Sequence, residues 1–444
     1  MKNSRTEIIK GNIKHLNAGS FLMKKTLNAI VLFMMMLVTV TGSGQARNAA
    51  FGNIYHQIKQ KNFFKARDLF AGSRQGLTTE YQYFTEAILD NAFNKPELSN
   101  DKILQLEKSK VVLPDSLMLK IWHIKEDNCM KQYDYSGAKN AVKTVLSRYS
   151  NLLSEGEVKD LKNNLKIWTA LENEPRQRIS INGGIRIKME KDVAGLKNLK
   201  IKVGEDAMNF IFDTGANIST VSVSTARRLN MKIIPAGIDV DAITGISVKA
   251  DLAVCKKLVL GNAVIENAVF LVFADNALSF PQINYQINGI LGFPVIEALK
   301  EVQITRDDYF TVPENETKIN TPANMAIDGL SPLVFIDGMH FTFDTGADHT
   351  ILYAPFYEEN KKEIDKKYKI TKIGMGGAGG KIEHEGFKVD HTFHILGKQV
   401  PLKDISLLKT RINKETVYGN IGQDVIRQFN TMTLNFEQMF IKFD

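Results

Sequence analysis

One heptapeptide occurs twice with a single change, and that duplication limits what this 444-residue chain can fold into more than any other feature. Phe210-Ile211-Phe212-Asp213-Thr214-Gly215-Ala216 returns 131 residues later as Phe341-Thr342-Phe343-Asp344-Thr345-Gly346-Ala347. Each copy is an apolar-x-apolar run of strand character leading into an Asp, followed by a Gly that permits a sharp turn. Later landmarks stay in phase. Gly245 and Gly376 each lie 32 residues past their Asp, Gly292 lies 79 past Asp213, and Gly422 lies 78 past Asp344. Val295-Ile296 and Val425-Ile426 follow those glycines, and closing strands are expected near Val302–Thr305 and Met432–Asn435. Two related β-rich halves, 178–318 and 319–444, follow from this register. A lone Asp-Thr-Gly arises by chance in roughly one chain of this length in ten. Two copies in register are far rarer.

The residue types suit one chemistry. Hydrolysing a peptide without a metal needs a base to activate water and an acid to protonate the departing amine. Two carboxylates about 3 Å apart cannot both ionise, so they share a proton and fill both roles, the arrangement known from the aspartic proteases. Asp213 and Asp344 are the candidates. Gly215 and Gly346 let the two loops approach, and the Thr214 and Thr345 hydroxyls are free to bond across to the opposite loop. The pair of motifs resembles the aspartic peptidases, and the Ala after Asp-Thr-Gly is more similar to the retropepsin branch. Asp344 to Leu352 is especially similar to the retroviral motif, including the acid at Asp348.

That resemblance spans 178–444 and carries further expectations. A later apolar-apolar-Gly should pack against each catalytic loop and close a ψ-shaped chain crossing. Ile290-Leu291-Gly292 fits, whereas Asn420-Ile421-Gly422 puts a polar residue in the first apolar slot. A β-hairpin flap should close over substrate and exclude water. Gly376 and Gly377, within the Gly-rich run 374–380, sit where the second flap belongs, and Thr244-Gly245-Ile246 sits where the first belongs. Asp348 is expected either to contact substrate backbone or to form a structural salt bridge, with Asn217 in the matching place of the first half. Retropepsins assemble one site from two chains. This chain carries both halves, which implies a monomer.

Upstream, the pattern changes. Over 47–175 apolar residues recur at intervals of three and four, as in Ile54, Ile58, Phe63 and Phe64, then Ala138, Ala141, Val142, Val145 and Leu146, so the segment reads as helical. Three stretches centred on Ala66, Ile103 and Ala138, 37 and 35 residues apart, are similar to tetratricopeptide-type helix pairs, with an irregular bundle as the other reading. The expected fold is therefore multidomain: an all-α, helical-repeat-like region, then an all-β bilobal aspartic-peptidase fold. Met23-Lys24-Lys25, an apolar stretch from Ala29 to Val40 and a small-residue end at Ala46 describe a secretory signal peptide, preceded by an extension over 1–22. The body is accordingly expected outside the cytoplasm, or anchored in the membrane if the signal is not cleaved.

Composition excludes other classes. Hydrophobic residues at 44% and charged residues at 24% describe a globular chain, and the net charge of +8 is scattered among acids with no basic stripe for nucleic acid. Cys129 and Cys255 form no disulfide framework, and His384, His391 and His394 lack zincin spacing. No metal or cofactor is expected. The expected partner is a polypeptide substrate, cleaved by an aspartic-type endopeptidase. A catalytically silent peptide-binding module with a helical interaction domain is the alternative. The helices offer a further surface for a protein partner.

Overall fold

The computed structural model describes residues 49–444 apart from 110, 112, 242–246, 282–283, 378–379, 396 and 413. The extension and signal segment expected over 1–46 lie outside the described residues. Seven helices come first: α1 over 49–59, α2 Phe63–Ser73, α3 Thr79–Ala92, α4 Pro96–Lys108, α5 Asp115–Lys131, α6 Tyr135–Arg148 and α7 Glu155–Leu171. Their periodic apolar residues, Ile54, Ile58, Phe64, Ala138 and Val142 among them, are buried. Asn62, Thr78, Asp134 and Ser154 cap helix starts by accepting from the backbone N–H three residues on.

The α1–α2, α3–α4 and α5–α6 turns are built alike. Lys61, Asn94 and Tyr133 hold left-handed backbone at φ 59°, 57° and 54°. The next residue bonds back five positions, Asn62 N to Gln57 O, Lys95 N to Asp90 O and Asp134 N to Cys129 O, at 2.7–3.0 Å. None of the three is Gly, and the conformation costs such a residue about 1 kcal/mol. Each is held by docking onto the β-rich region. Lys61 pairs with Asp328 at 2.6 Å, Asn94 Nδ2 donates to Phe436 O at 3.0 Å, and the Tyr133 hydroxyl donates to Pro294 O at 3.0 Å. The helical region is thereby fixed to the strands through its turns. Among the described residues no helix is long and apolar enough to cross a membrane.

Strands begin at Arg178 and continue to Phe443. One nine-stranded sheet and one eight-stranded sheet each carry one Asp-Thr-Gly loop. Their central connections match. The strand before each Asp, Asp206–Phe212 or Met339–Phe343, pairs in parallel with Gly289–Leu291 or Gly419–Ile421. That short strand pairs antiparallel with Ser219–Ser222 or Ile351–Leu352, which in turn lies parallel to Ala263–Phe273 or Lys398–Leu408. The strand faces turned away from the loops bury Phe210, Phe212, Phe341 and Phe343, which anchors both loops on packed cores.

A five-stranded sheet joins the two. Ile185–Lys188, Tyr309–Val312 and Glu301–Thr305 come from the first half, Thr431–Asn435 and Phe440–Phe443 from the second. The two closing strands pair with each other, Val302 opposite Leu434 and Ile304 opposite Met432. Sequence reading placed these strands but not their mutual pairing.

Candidate active site

The two loops meet at their Thr residues. Thr214 Oγ1 donates to Phe343 O and accepts from Thr345 N, both at 3.0 Å. Reciprocally, Thr345 Oγ1 donates to Phe212 O at 3.1 Å and accepts from Thr214 N at 3.0 Å. Both side chains are buried, so four hydrogen bonds tie the halves together where water cannot compete. Behind each loop the ψ crossing is closed by backbone bonds, Asp213 N to Leu291 O at 3.1 Å and Asp344 N to Ile421 O at 3.0 Å.

This crossing sets the carboxyls face to face. A Cβ on Gly215 would lie 2.5 Å from the Asp344 carboxyl carbon, and one on Gly346 would lie 2.5 Å from that of Asp213. Each Gly is thus required by the opposite carboxyl, not by its own backbone angles. Burial, then the neighbouring Asp344 charge, then a hydrogen bond with the Asp344 side chain push the Asp213 carboxyl well above the usual range, which favours its holding a proton.

The surroundings of the pair are unequal. Asp213 Oδ1 accepts from Gly215 N at 2.8 Å. Asp344 Oδ1 accepts from Gly346 N at 2.8 Å and Ala347 N at 3.1 Å, and its Oδ2 accepts from Asn420 Nδ2 at 3.2 Å. Thr342 holds Asn420 in place by donating to its Oδ1 at 2.6 Å. The backbone of Gly215 and Ala216 serves Asp213 as that of Gly346 and Ala347 serves Asp344, so the inequality is one side-chain donor, the Asn420 amide on Asp344.

Residues 199–295, the stretch around Asp213, match the family model described as Aspartyl protease. Among solved structures, basic 7S globulin from soybean resembles the chain at 10% identity and a TM-score of 0.36, over 60% of this chain and 95% of that one. No curated protein matches.

The remaining candidate residues fall in different places. Gly376 and Gly377 end the strand Thr371–Gly377, which forms a hairpin with Gly380–Ile395 at the edge of the eight-stranded sheet. Gly245 lies outside the described residues, between Lys232–Asp241 and Ser247–Leu260, which pair as the matching edge hairpin. Asp348 is exposed and ion-paired with Arg427, and His349 Nε2 lies 3.0 Å from its other oxygen. Asn217 accepts from the Ser331 hydroxyl at 3.1 Å across the halves. Cys129 and Cys255 are free thiols, and among the described residues no cluster of His, Cys, Asp or Glu is placed to hold a metal.

Two contributors escaped sequence reading. Asn420 had registered only as a misfit in an apolar slot, although a polar residue beside a carboxylate dyad was itself a signal. The helical contribution had no signal at all. A cavity of about 890 Å³ runs from Gly215 and Asn217, under Ile238, to Trp168 of α7 and Leu330. Asn163 of α7 clamps that edge strand, donating to Asp239 O at 2.6 Å and accepting from Asp239 N at 2.8 Å.

Proposed function

We propose that the chain is an aspartic endopeptidase whose base and acid are Asp344 and Asp213. The observation that carries this reading is the reciprocal Thr214–Thr345 crossing, which presses two carboxyls onto opposite glycines, where burial and their mutual charge favour one shared proton. In the proposed reaction a water between the carboxyls gives a proton to Asp344 while its oxygen attacks the scissile carbonyl. The Asp213 proton supports the developing alkoxide, and the proton held by Asp344 passes to the amine as the C–N bond breaks. No metal or cofactor enters this scheme.

On this reading, 178–318 and 319–444 are two retropepsin-like lobes in one chain, working as a monomer, with edge hairpins around Gly245 and Gly376–Gly377 as flaps. The helices of 47–175 are tetratricopeptide-like pairs, supported by their three alike turns. The segment before Ala46 is a signal peptide that takes the protein out of the cytoplasm. A polar Asn420 in the apolar slot would suit a silent peptide-binding module if it were a mere departure from the motif. Its bond to Asp344 supports a tuned dyad instead.

The test is cleavage of an unfolded protein from about pH 3 to about pH 8, comparing the chain with Asp213→Asn and Asp344→Asn. Loss in both variants with folding intact is the expected result. Residual activity in either variant, or none in the wild type at any pH, overturns it.

A further inference from the structure

We infer that the helical region walls a substrate subsite on the Asp213 side of the cleft, and that this subsite takes a basic side chain, Lys or Arg. The inference rests on the peptidase reading for its position and on the cavity for its chemistry.

The chamber reaches the loop that follows Asp213, at Gly215, Ala216 and Asn217. Gly215, one of its lining residues, is the glycine pressed against the Asp344 carboxyl. A chain lying over the dyad therefore projects a side chain into it. The near part is apolar: Ile238 and Leu271 from the nine-stranded sheet face Ile167 and Trp168 of α7. Such a surface suits an aliphatic stem. The far part is not apolar. Glu126 of α5 is only 6% exposed, and Trp168 Nε1 and Asn164 Nδ2 donate to the same one of its oxygens, Oε1, at 2.9 and 3.0 Å. Both bonds fall on Oε1, and Glu126 lines the chamber.

A carboxyl buried this deeply without a cation is costly unless something pairs with it. Burial pushes the Glu126 carboxyl up to about 7, and an arriving ammonium or guanidinium would restore its charge. Asp127 beside it also lines the chamber and makes no ion pair; Lys131 and Lys120 attract it only from a distance. Among the described residues lining the chamber there is no Lys or Arg, although the chain as a whole carries 57 of them against 49 acids. Lysines from outside the lining pair with Asp328, Asp239 and Glu157, which among the described residues leaves Glu126, Asp127 and Asp160 as lining acids without an ion pair. A long apolar stem ending in a cation matches both parts. The wall is held in register with the edge hairpin by the Asn163 clamp on Asp239 and by Lys166 Nζ donating to Gly237 O at 3.0 Å.

Two readouts test the inference separately from the peptidase reading. In the first, peptides from a denatured proteome are digested and the cleavage sites aligned. Lys and Arg should be enriched at one fixed position relative to the cut. In the second, tagged Ala/Gln octapeptides carrying one Lys or one norleucine at each position in turn are titrated into Asp213→Asn. One position should bind Lys about tenfold tighter than norleucine. Combining Glu126→Gln with Asp127→Asn should abolish that difference, and Asp127→Asn alone, the variant to read where the double one folds poorly, should reduce it. Cleavage with no basic preference, or a preference unchanged in these variants, overturns the subsite. Lys-selective binding without any cleavage overturns the peptidase reading and leaves the subsite standing. Absence of both overturns both.

Discussion

The half of the β-rich region that carries Asp213 and the half that carries Asp344 repeat one strand arrangement but surround their carboxyls differently. Each crossing is closed the same way, with Gly292 N donating to Ser219 Oγ at 3.0 Å and Gly422 N to Thr350 Oγ1 at 3.1 Å. Beside the dyad, however, Ile290 in one half stands where Asn420 stands in the other. Only the second half supplies a side-chain amide to its Asp. Outside the dyad the inequality reverses. The first half's edge strand is clamped by α7, whereas among the described residues no helix of 49–171 hydrogen-bonds to Thr371–Gly377. The duplication makes the site, and the departures from it divide the labour. On the proposed reading, one half tunes the dyad, and the other, with the helices, shapes the cleft.

The largest effects should fall on both halves alike. Asp213→Asn and Asp344→Asn should each lower kcat by about a thousandfold or more, the scale of losing a positioned acid or base. Unequal losses would mean that one carboxyl alone carries the chemistry. The same variants should separate in stability. Because the Asp213 pKa is raised in the folded chain, its favourable contribution is complete below the ordinary carboxylate range and is lost as pH rises through the raised value. Urea melts should show Asp213→Asn gaining on the wild type as pH rises from about 4. Parallel curves would mean that the two carboxyls do not share a proton.

Next in size is the inequality at the dyad. Asn420→Ile copies Ile290 into the second half and removes a charge-assisted bond worth about 1.5–3 kcal/mol. We expect kcat to fall at least about tenfold and the acid limb of the pH–rate profile to move upward, because the anion loses a donor. An unmoved profile would reduce Asn420 to packing and make the halves chemically equal.

What the sequence made legible follows from what a repeat can encode. Asp213 and Asp344, their glycines and the second Gly of each half are fixed by spacing, so they could be read without a structure. Periodicity likewise marked Ile54 to Val145 as helix faces. The pairing of Glu301–Thr305 with Thr431–Asn435 could not be read, because strand registry between segments so far apart leaves no local trace. Nor could the turns at Lys61, Asn94 and Tyr133 be placed, since left-handed backbone normally announces itself by Gly. Those turns are stabilised by contacts with the strands, which only the fold supplies.

The clamp offers a smaller effect. Asn163→Ala removes two hydrogen bonds to Asp239, each contributing about 1 kcal/mol. Amide exchange over 232–241 should quicken severalfold while that over 371–377 stays unchanged, with KM rising more than kcat falls. Equal changes in both hairpins would mean that the helices stabilise the whole β-rich region and not one flap.

Asp348→Asn should have the smallest effect, and it tests how far the retroviral likeness reaches. The family position implies a carboxylate that holds substrate backbone, whereas here the side chain is exposed and engaged by Arg427 and His349. An exposed ion pair contributes about 0–1 kcal/mol, so melting should shift little. If the pair is structural, kcat/KM for a peptide substrate should stay within about twofold of wild type, and Arg427→Gln should behave the same way. A tenfold rise in KM confined to Asp348→Asn would instead mean that substrate displaces Arg427. The second half would then grip the peptide backbone with a charge, while the first half, with Asn217 at the matching place, does so without one.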